Sequence, residues 1–250
     1  MLSLKDKQLA YASIGSSLML ALVFFAFVRP LPVAAEMGAR YERSYSPRGP
    51  AHLTVANVNG DIRVSAWDRR TILVRAIAGP SVSIADQAAG DEYSVTVRRD
   101  MRLGRADFDI WVPADTSVTL RDYMGRIEVR GITGHLSVNS IDSDVHLIGV
   151  SGPSIDVKVT SGDIFFDGDL REGGSYGLQT MKGDIDVSLP DSSSFQLNAR
   201  ALSENINLGS FFNSLTGSAR GPKGVRGTHL RGGPSLSLTT YVGRILLHKK

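Results

Sequence analysis

The sequence predicts an all-β fold, a β-solenoid with coils of about 20 residues, preceded by one N-terminal transmembrane helix. Three observations predict it. Residues 9–28 form one nearly uninterrupted apolar run, with Ser13, Ser16 and Ser17 its only clearly polar residues. A ten-residue pattern of alternating apolar side chains recurs seven times after residue 52. Five of the seven repeats carry glycine at the same place, which gives a purpose to part of an unusually high glycine count, 26 in 250 residues.

Residues 1–8, with Lys5 and Lys7, read as a short cytoplasmic N-terminus. The run LAYASIGSSLMLALVFFAFV over 9–28 contains no charge. Twenty residues at a helical rise of ~1.5 Å span ~30 Å, the thickness of a bilayer core. It reads as an uncleaved signal anchor. The alternative is a signal peptide cleaved after the small residues Val33-Ala34-Ala35. Both put the chain on the export route, so the expectation is a membrane-anchored protein with its C-terminal domain in the periplasm or outside the cell. Residues 29–50 read as a linker. With no Cys in the chain, the exported part has no disulfides to draw on, and thiolate metal sites and cysteine nucleophiles are excluded.

The repeats read LTVANVNGDI (53–62), VTLRDYMGRI (118–127), LSVNSIDSDV (136–145), IDVKVTSGDI (155–164), YGLQTMKGDI (176–185), LNARALSENI (197–206) and LSLTTYVGRI (236–245). Period-2 alternation argues for strands. In one unit Ile155, Val157 and Val159 share a face, with Asp156 and Lys158 opposite, and Ile164 and Phe166 return to the inward set after the turn. A single unit cannot bury its apolar face, so units must stack, one coil per repeat. Gly60, Gly125, Gly162, Gly183 and Gly243 mark a sharp corner that favours positive φ. Ser143 and Glu204 replace glycine there, at an expected cost in strain or an altered corner. The fifth position of the unit should face inward yet holds Asn57, Asp122, Ser140, Thr180 and Thr240, while the sixth is apolar in six of seven units. Either parity breaks before the corner, or these polar side chains bond to turn amides. Residues 51–116 contain one clear repeat and then less regular strands, and read as an N-terminal β part capping the solenoid. Residues 117–250 read as the solenoid itself, with 211–234 an irregular or mobile coil.

Catalytic chemistry is hard to find. Asp144, Asp163 and Asp184 would form a ladder in a stack, which makes them a weak candidate Ca²⁺ site. Capping of turn amides by those carboxylates is the simpler reading. The five histidines lack metal-ligand spacing, and neither a nucleophile elbow nor a phosphate-binding glycine loop is present. The column after the corners, Arg63, Glu128, His146, Phe165, Asp186, Asn207 and Leu246, does not resemble a paired acid/base site. No cofactor is expected. Charge is segregated. Residues 131–210 hold eleven acids against four bases, and 211–250 hold seven bases and no acid. Without interleaved aromatics, the basic end reads as solvated, not as a nucleic-acid site.

The GDI-type strand units, the lead-in NVNGDIRVSAW (57–67), FDIWVPAD (108–115) and LSLTTYVGRILLHK (236–249) together resemble a bacterial domain family of unknown function described as putative adhesins, similar to head-GIN auto-transporter adhesin-like domains. The resemblance implies a right-handed parallel β-helix-like fold, a cell-envelope location and no catalytic residues. Arg126 and Arg244 depart from the usual Asp. The reading is therefore a non-catalytic, adhesin-like binding or scaffolding domain tethered through residues 9–28. Its expected partner is an envelope protein or a surface glycan, with no nucleic acid. The alternatives are an accessory sensor domain of an envelope signalling system and a carbohydrate-active enzyme on the same fold.

Overall fold

Alternation along each repeat decides which side chains turn inward, and the computed structural model shows that the pattern holds across the whole stack. It describes residues 39–80, 82–99, 104–203, 205–221 and 224–250. The anchor expected over 9–28 and the first part of the linker lie outside the described residues, as does the corner residue Glu204. Among the described residues no helix is long and apolar enough to cross a membrane.

The chain runs through β1 (Ala39–Tyr45), β2 (His52–Ala56), β3 (Ile62–Trp67), β4 (Ile72–Ala78), β5 (Val82–Ala89), β6 (Glu92–Arg99) and β7 (Ala106–Pro113). Two long bent strands follow, β8 (Ser117–Arg130) and β9 (Leu136–Val150). Next come β10 (Ser154–Ser161), β11 (Ile164–Gly168), β12 (Ser175–Lys182), β13 (Ile185–Leu189), β14 (Phe195–Ala201) and β15 (Ile206–Asn207). A 3₁₀ turn (Gly209–Ser214), β16 (Leu215–Gly221), β17 (Gly224–His229), β18 (Ser235–Val242) and β19 (Ile245–Lys249) complete it.

Each coil places one strand on each of two faces, and like positions stack in parallel register. Leu120, Val138, Val157, Leu178, Leu238 and Ala199 form one such inward column. Ile155, Val157, Val159, Ile164 and Phe166 are all buried, as their alternation requires. The core so formed is continuous from Ala51 to Leu247.

The stacking order is not the chain order. On the first face it is β6, β2, β8, β9, β10, β12, β18, β14. On the second it is β7, β3, β8, β9, β11, β13, β19, β15. The first coil, 52–67, is therefore tucked inside the coil of 92–113, and the last, 235–249, is inserted beneath the coil of 195–207. Eight coils at ~4.8 Å give a stack of about 34 Å.

Several expectations change here. Residues 51–116 do not sit over the end of the solenoid as a separate layer. They supply two coils of it, because β2–β3 carries the same repeat as the rest and β6–β7 pairs with it in register. That end is closed by antiparallel strands, β4 on β7, β1 on β4 and β5 on β6. Residues 39–45, expected in a linker, are thus an ordered edge strand. Residues 211–234, expected to be irregular, hold the 3₁₀ turn and an antiparallel hairpin, β17 on β14 and β16 on β17. Their pattern is faint because β16 buries only Leu215 and β17 only Val225 and His229.

The charge segregation also acquires a structural role. The last coil carries Arg244, His248, Lys249 and Lys250 against Asp184, Asp186, Asp191 and Asp167 of the acidic coils it packs on. The basic end is not simply solvated. Each exposed pair is worth only ~0–1 kcal/mol, but like-signed coils would oppose this insertion.

The inserted coil is the surface on which β14, and through it the terminal hairpin, is built. Deletion of residues 235–250 is expected to leave 52–189 protected in limited proteolysis and to open 190–234 to rapid cleavage. Continued protection of 190–234, with β14 docked directly on β12, would show that insertion is dispensable.

Candidate functional site

The recurring corner is the most constrained place in the coil. Gly60, Gly125, Gly162, Gly183 and Gly243 all have positive φ, from 121° to 154°. At each, a Cβ would land on a backbone carbonyl oxygen of the adjacent coil, far inside van der Waals contact. For Gly183 that oxygen belongs to Gly162, and for Gly243 to Gly183. Glycine is needed there for two reasons, the φ it adopts and the close approach of neighbouring coils. Ser143 departs by altering the corner. Its φ is not positive, β9 runs through the bend as continuous strand, and the side chain turns into the core.

The aspartates after the glycine bind backbone. Asp144 Oδ1 accepts from the Asp163 amide at 3.0 Å, Asp163 Oδ1 from the Asp184 amide at 2.7 Å, and Asp184 Oδ1 from the Arg244 amide at 2.8 Å. Arg244, one of the two departures from Asp, folds its guanidinium back onto Asp184 Oδ2 at 2.6 Å. That hydrogen bond holds the Asp184 carboxyl below the usual carboxylate range. No group of three or more His, Cys, Asp or Glu side chains is arranged to hold a metal ion among the described residues. The carboxylate ladder is a set of caps from coil to coil.

Parity does not break before the corner. Asn57, Asp122, Ser140, Thr180 and Thr240 are buried and face inward. Their partners are corner carbonyls, not the turn amides expected. Thr180 donates to Gly162 O at 3.0 Å and Thr240 to Gly183 O at 2.9 Å. Asn57 reaches Gly60 O and Ala106 O. Asp122 is the exception, since a carboxylate can only accept. Ser143 donates to its Oδ2 at 2.9 Å, Ser140 bonds to Ser143 at 2.5 Å, and Oδ1 is buried without a partner. Burial pushes the Asp122 carboxyl above its ordinary range, against the Ser143 hydrogen bond. The lost corner glycine and the misplaced carboxylate are thus one local arrangement.

With the fifth position inward, the sixth must face solvent. Tyr123, Ile141, Met181, Tyr241 and Leu202 are 41–51% exposed. Register aligns them with Thr160 over six consecutive coils in the order Tyr123, Ile141, Thr160, Met181, Tyr241, Leu202. This is an exposed apolar ladder along one edge of the first face. Beside it, a groove of about 390 Å³ is lined by Arg121, Asn139, Lys158, Gln179, Ile141 and Met181. Lys158 is paired with Asp156 at 2.7 Å. Among the described residues the second face carries no comparable stripe. Its outward column is dominated by local pairs such as Arg63 with Asp61 and Asp109, and Glu128 with Arg130. None of the ladder residues was singled out as a site from the sequence. The available signal was the sixth position, apolar in six of seven units, together with strict alternation.

Residues 45–231 match the family described as Toastrack DUF4097, three quarters of the chain. The chain belongs to the Toastrack DUF4097 family. No curated protein matches this Toastrack chain. Among solved structures, it is similar to a putative cell adhesion protein from Clostridium sporogenes at 12% identity, covering 85% of this chain and all of that one, with a TM-score of 0.46. A putative adhesin from Bacteroides fragilis is similar at 8% identity, covering 86% of this chain and 99% of that one, with a TM-score of 0.30.

Two outcomes follow from the corner of this Toastrack domain. Gly183→Ala should lower stability by about 2 kcal/mol or more, as steric conflict and positive φ combine, and an unchanged Tm would remove the corner's steric role. Asp122→Asn should raise Tm at pH 7, because an amide keeps the Ser143 bond and supplies the donor that Asn57 provides in its own coil. The unpaired buried acceptor is worth about 1–3 kcal/mol. Because burial raises the folded-state pKa, wild type bears the full cost of the charge only above that pKa, and part of it between the unfolded and folded values. The variant's advantage should shrink as pH falls through it and vanish below about pH 4, the unfolded value. A difference independent of pH would refute this account.

Proposed function

We propose that the chain is a non-catalytic, adhesin-like binding or scaffolding module that works through the lateral surface of its solenoid. The observation that carries this reading is the apolar ladder. Five large apolar side chains stand half-exposed in register on a rigid stack, beside a groove with polar walls. Aligned exposed apolar groups mark interaction surfaces more often than they decorate inert ones. Cross-coil hydrogen bonding fixes their spacing, so little ordering entropy is lost when a partner docks. A binding role is also consistent with the polar residues nearest the corner, which are engaged in holding coils together.

In the same reading, residues 9–28 tether the domain to a membrane, the solenoid faces the periplasm or the cell exterior, and the partner is an envelope protein or a surface glycan. What supports the tether is the uncharged length of that run and the lysines before it. Cell fractionation with N-terminal sequencing of the mature protein tests it. Recovery in the membrane fraction with Met1 retained is expected, and a soluble product beginning at Glu36 would replace the anchor by a signal peptide.

Because Met181 and Tyr241 lie on adjacent coils with their side chains in solvent, the double change Met181→Ser, Tyr241→Ser should leave Tm within a degree or two. Attachment of producing cells to surfaces or to one another should fall at least tenfold, as loss of central anchors does at other interfaces. Undiminished attachment at equal protein level would exclude the ladder as the binding surface.

A further inference from the structure

The last coils of the stack present a second surface that the apolar ladder does not include. Sequence chemistry changes sharply there. After Asp191 the chain holds one acid, Glu204, against eight basic residues. Three of those bases, Arg244, Lys249 and Lys250, lie in 244–250 and are consumed by ion pairs with the acidic coils. Arg200 on β14 and Arg226 on β17 are different. Both are exposed on the outer side of the first face, and among the described residues neither has an acid at ion-pairing distance.

The two arginines flank one shallow depression of about 330 Å³. Its floor includes the small residues Ala219, Gly221 and Gly224, so among the described residues no large side chain fills the space between the guanidiniums. Asn198 Oδ1 accepts from Arg226 Nε at 3.3 Å, which steadies that side chain and leaves its terminal amino groups free. A guanidinium so placed matches the geometry of a carboxylate fork to fork. Leading into the depression, the outer face of β12, β18 and β14 carries Gly177, Gln179, Ser237, Thr239, Gln196 and Asn198. That approach is uncharged, hydrogen-bonding and free of bulky side chains.

We infer that this face, from β12 to β17, binds an acidic polysaccharide laid along the stack. Its hydroxyl groups would meet the amide and hydroxyl side chains of β12, β18 and β14, and a carboxylate would sit between Arg200 and Arg226. Other polyanions fit less well. No aromatic side chain lines the depression to stack a nucleic-acid base. Its apolar lining is limited to Ala199, Ala219 and Val225, of which Ala199 and Val225 are buried, so no large exposed apolar side chain is offered to a lipid surface, and an amphipathic rim is what interfacial membrane binders use. The inference rests on the chain being a binding module but not on the ladder being its site.

The test measures binding of the full-length chain, in detergent, to immobilised polygalacturonate, with neutral dextran as reference. Binding to polygalacturonate and not to dextran is expected, weakening as salt rises because the contact is ionic. Arg200→Ala and Arg226→Ala should each reduce affinity several-fold, and the double variant at least tenfold at unchanged Tm. Arg226→Lys should restore only part of the loss, since charge returns without the fork. Arg98→Ala, at the other end of the stack, should change nothing. Equal binding by the double variant, or an equal loss in Arg98→Ala, would overturn the site. Tighter binding to single-stranded DNA or to phosphatidylglycerol in mixed micelles, lost in the double variant, would overturn the polysaccharide assignment. If Met181→Ser, Tyr241→Ser abolishes cell attachment while the arginine pair has no effect on polygalacturonate binding, the ladder stands and this inference falls.

Discussion

The close approach of backbones at the corner is the constraint on which the structure depends. Neighbouring coils come so near that a carbonyl of one occupies the space where the other would carry a Cβ. That proximity sets the coil spacing and lets each corner amide bond to the coil beside it, as Gly162 N does to Lys182 O and Gly183 N to Val242 O at 2.9 Å. It also lets one aspartate cap the next coil's amide. Moving a corner outward would lengthen all of these bonds together. The corner without glycine among the described residues shows the alternative. At Ser143 the chain gives up positive φ, and a buried Ser140–Ser143–Asp122 cluster takes the place of the hydroxyl-to-carbonyl bond.

The same corner makes the coil two-sided. Side chains just before it alternate under the strict rule of a strand, so a polar residue placed inward to satisfy a corner carbonyl forces its neighbour outward. In four of the coils that neighbour is large and apolar, and in a fifth Leu202 takes the same outward place after the buried Ala201. Stacking in register then turns an outward residue of a ten-residue repeat into a continuous stripe, which no single coil could provide. A structural requirement at the fifth position and an exposed interaction surface at the sixth are therefore adjacent consequences of one repeat.

Charge decides what hydrophobic pattern leaves degenerate. Every coil has a compatible inward face, so apolar matching alone cannot say which coil lies beside which. The acidic coils of 164–191 and the basic coil of 235–249 complement each other, and the second packs on the first although 45 residues of chain lie between Leu189 and Ser235. The coil of 195–207, with Arg200 and little acid, is displaced to the outside. Among the described residues Arg200 and Arg226 form no ion pair, so the outer end of the first face carries exposed positive charge.

Much of this was legible beforehand. Alternation in Ile155, Val157 and Val159, glycine at one recurring place and seven related units were enough to establish strands, inward faces and coils, because these depend on side-chain period and local φ. The sequence by itself determined the repeat, its buried residues, its corners and the absence of disulfides. Only the tertiary structure decided the order of the coils, the hairpin of 215–229, the partners of Asn57, Thr180 and Thr240, and the alignment of Tyr123, Ile141, Met181, Tyr241 and Leu202 into one ladder. The physical reason is that near-equivalent repeats carry no local mark of their neighbour. Adjacency is settled by long-range charge complementarity and by which edges remain open, and a surface made of one residue per coil exists only once that adjacency is set.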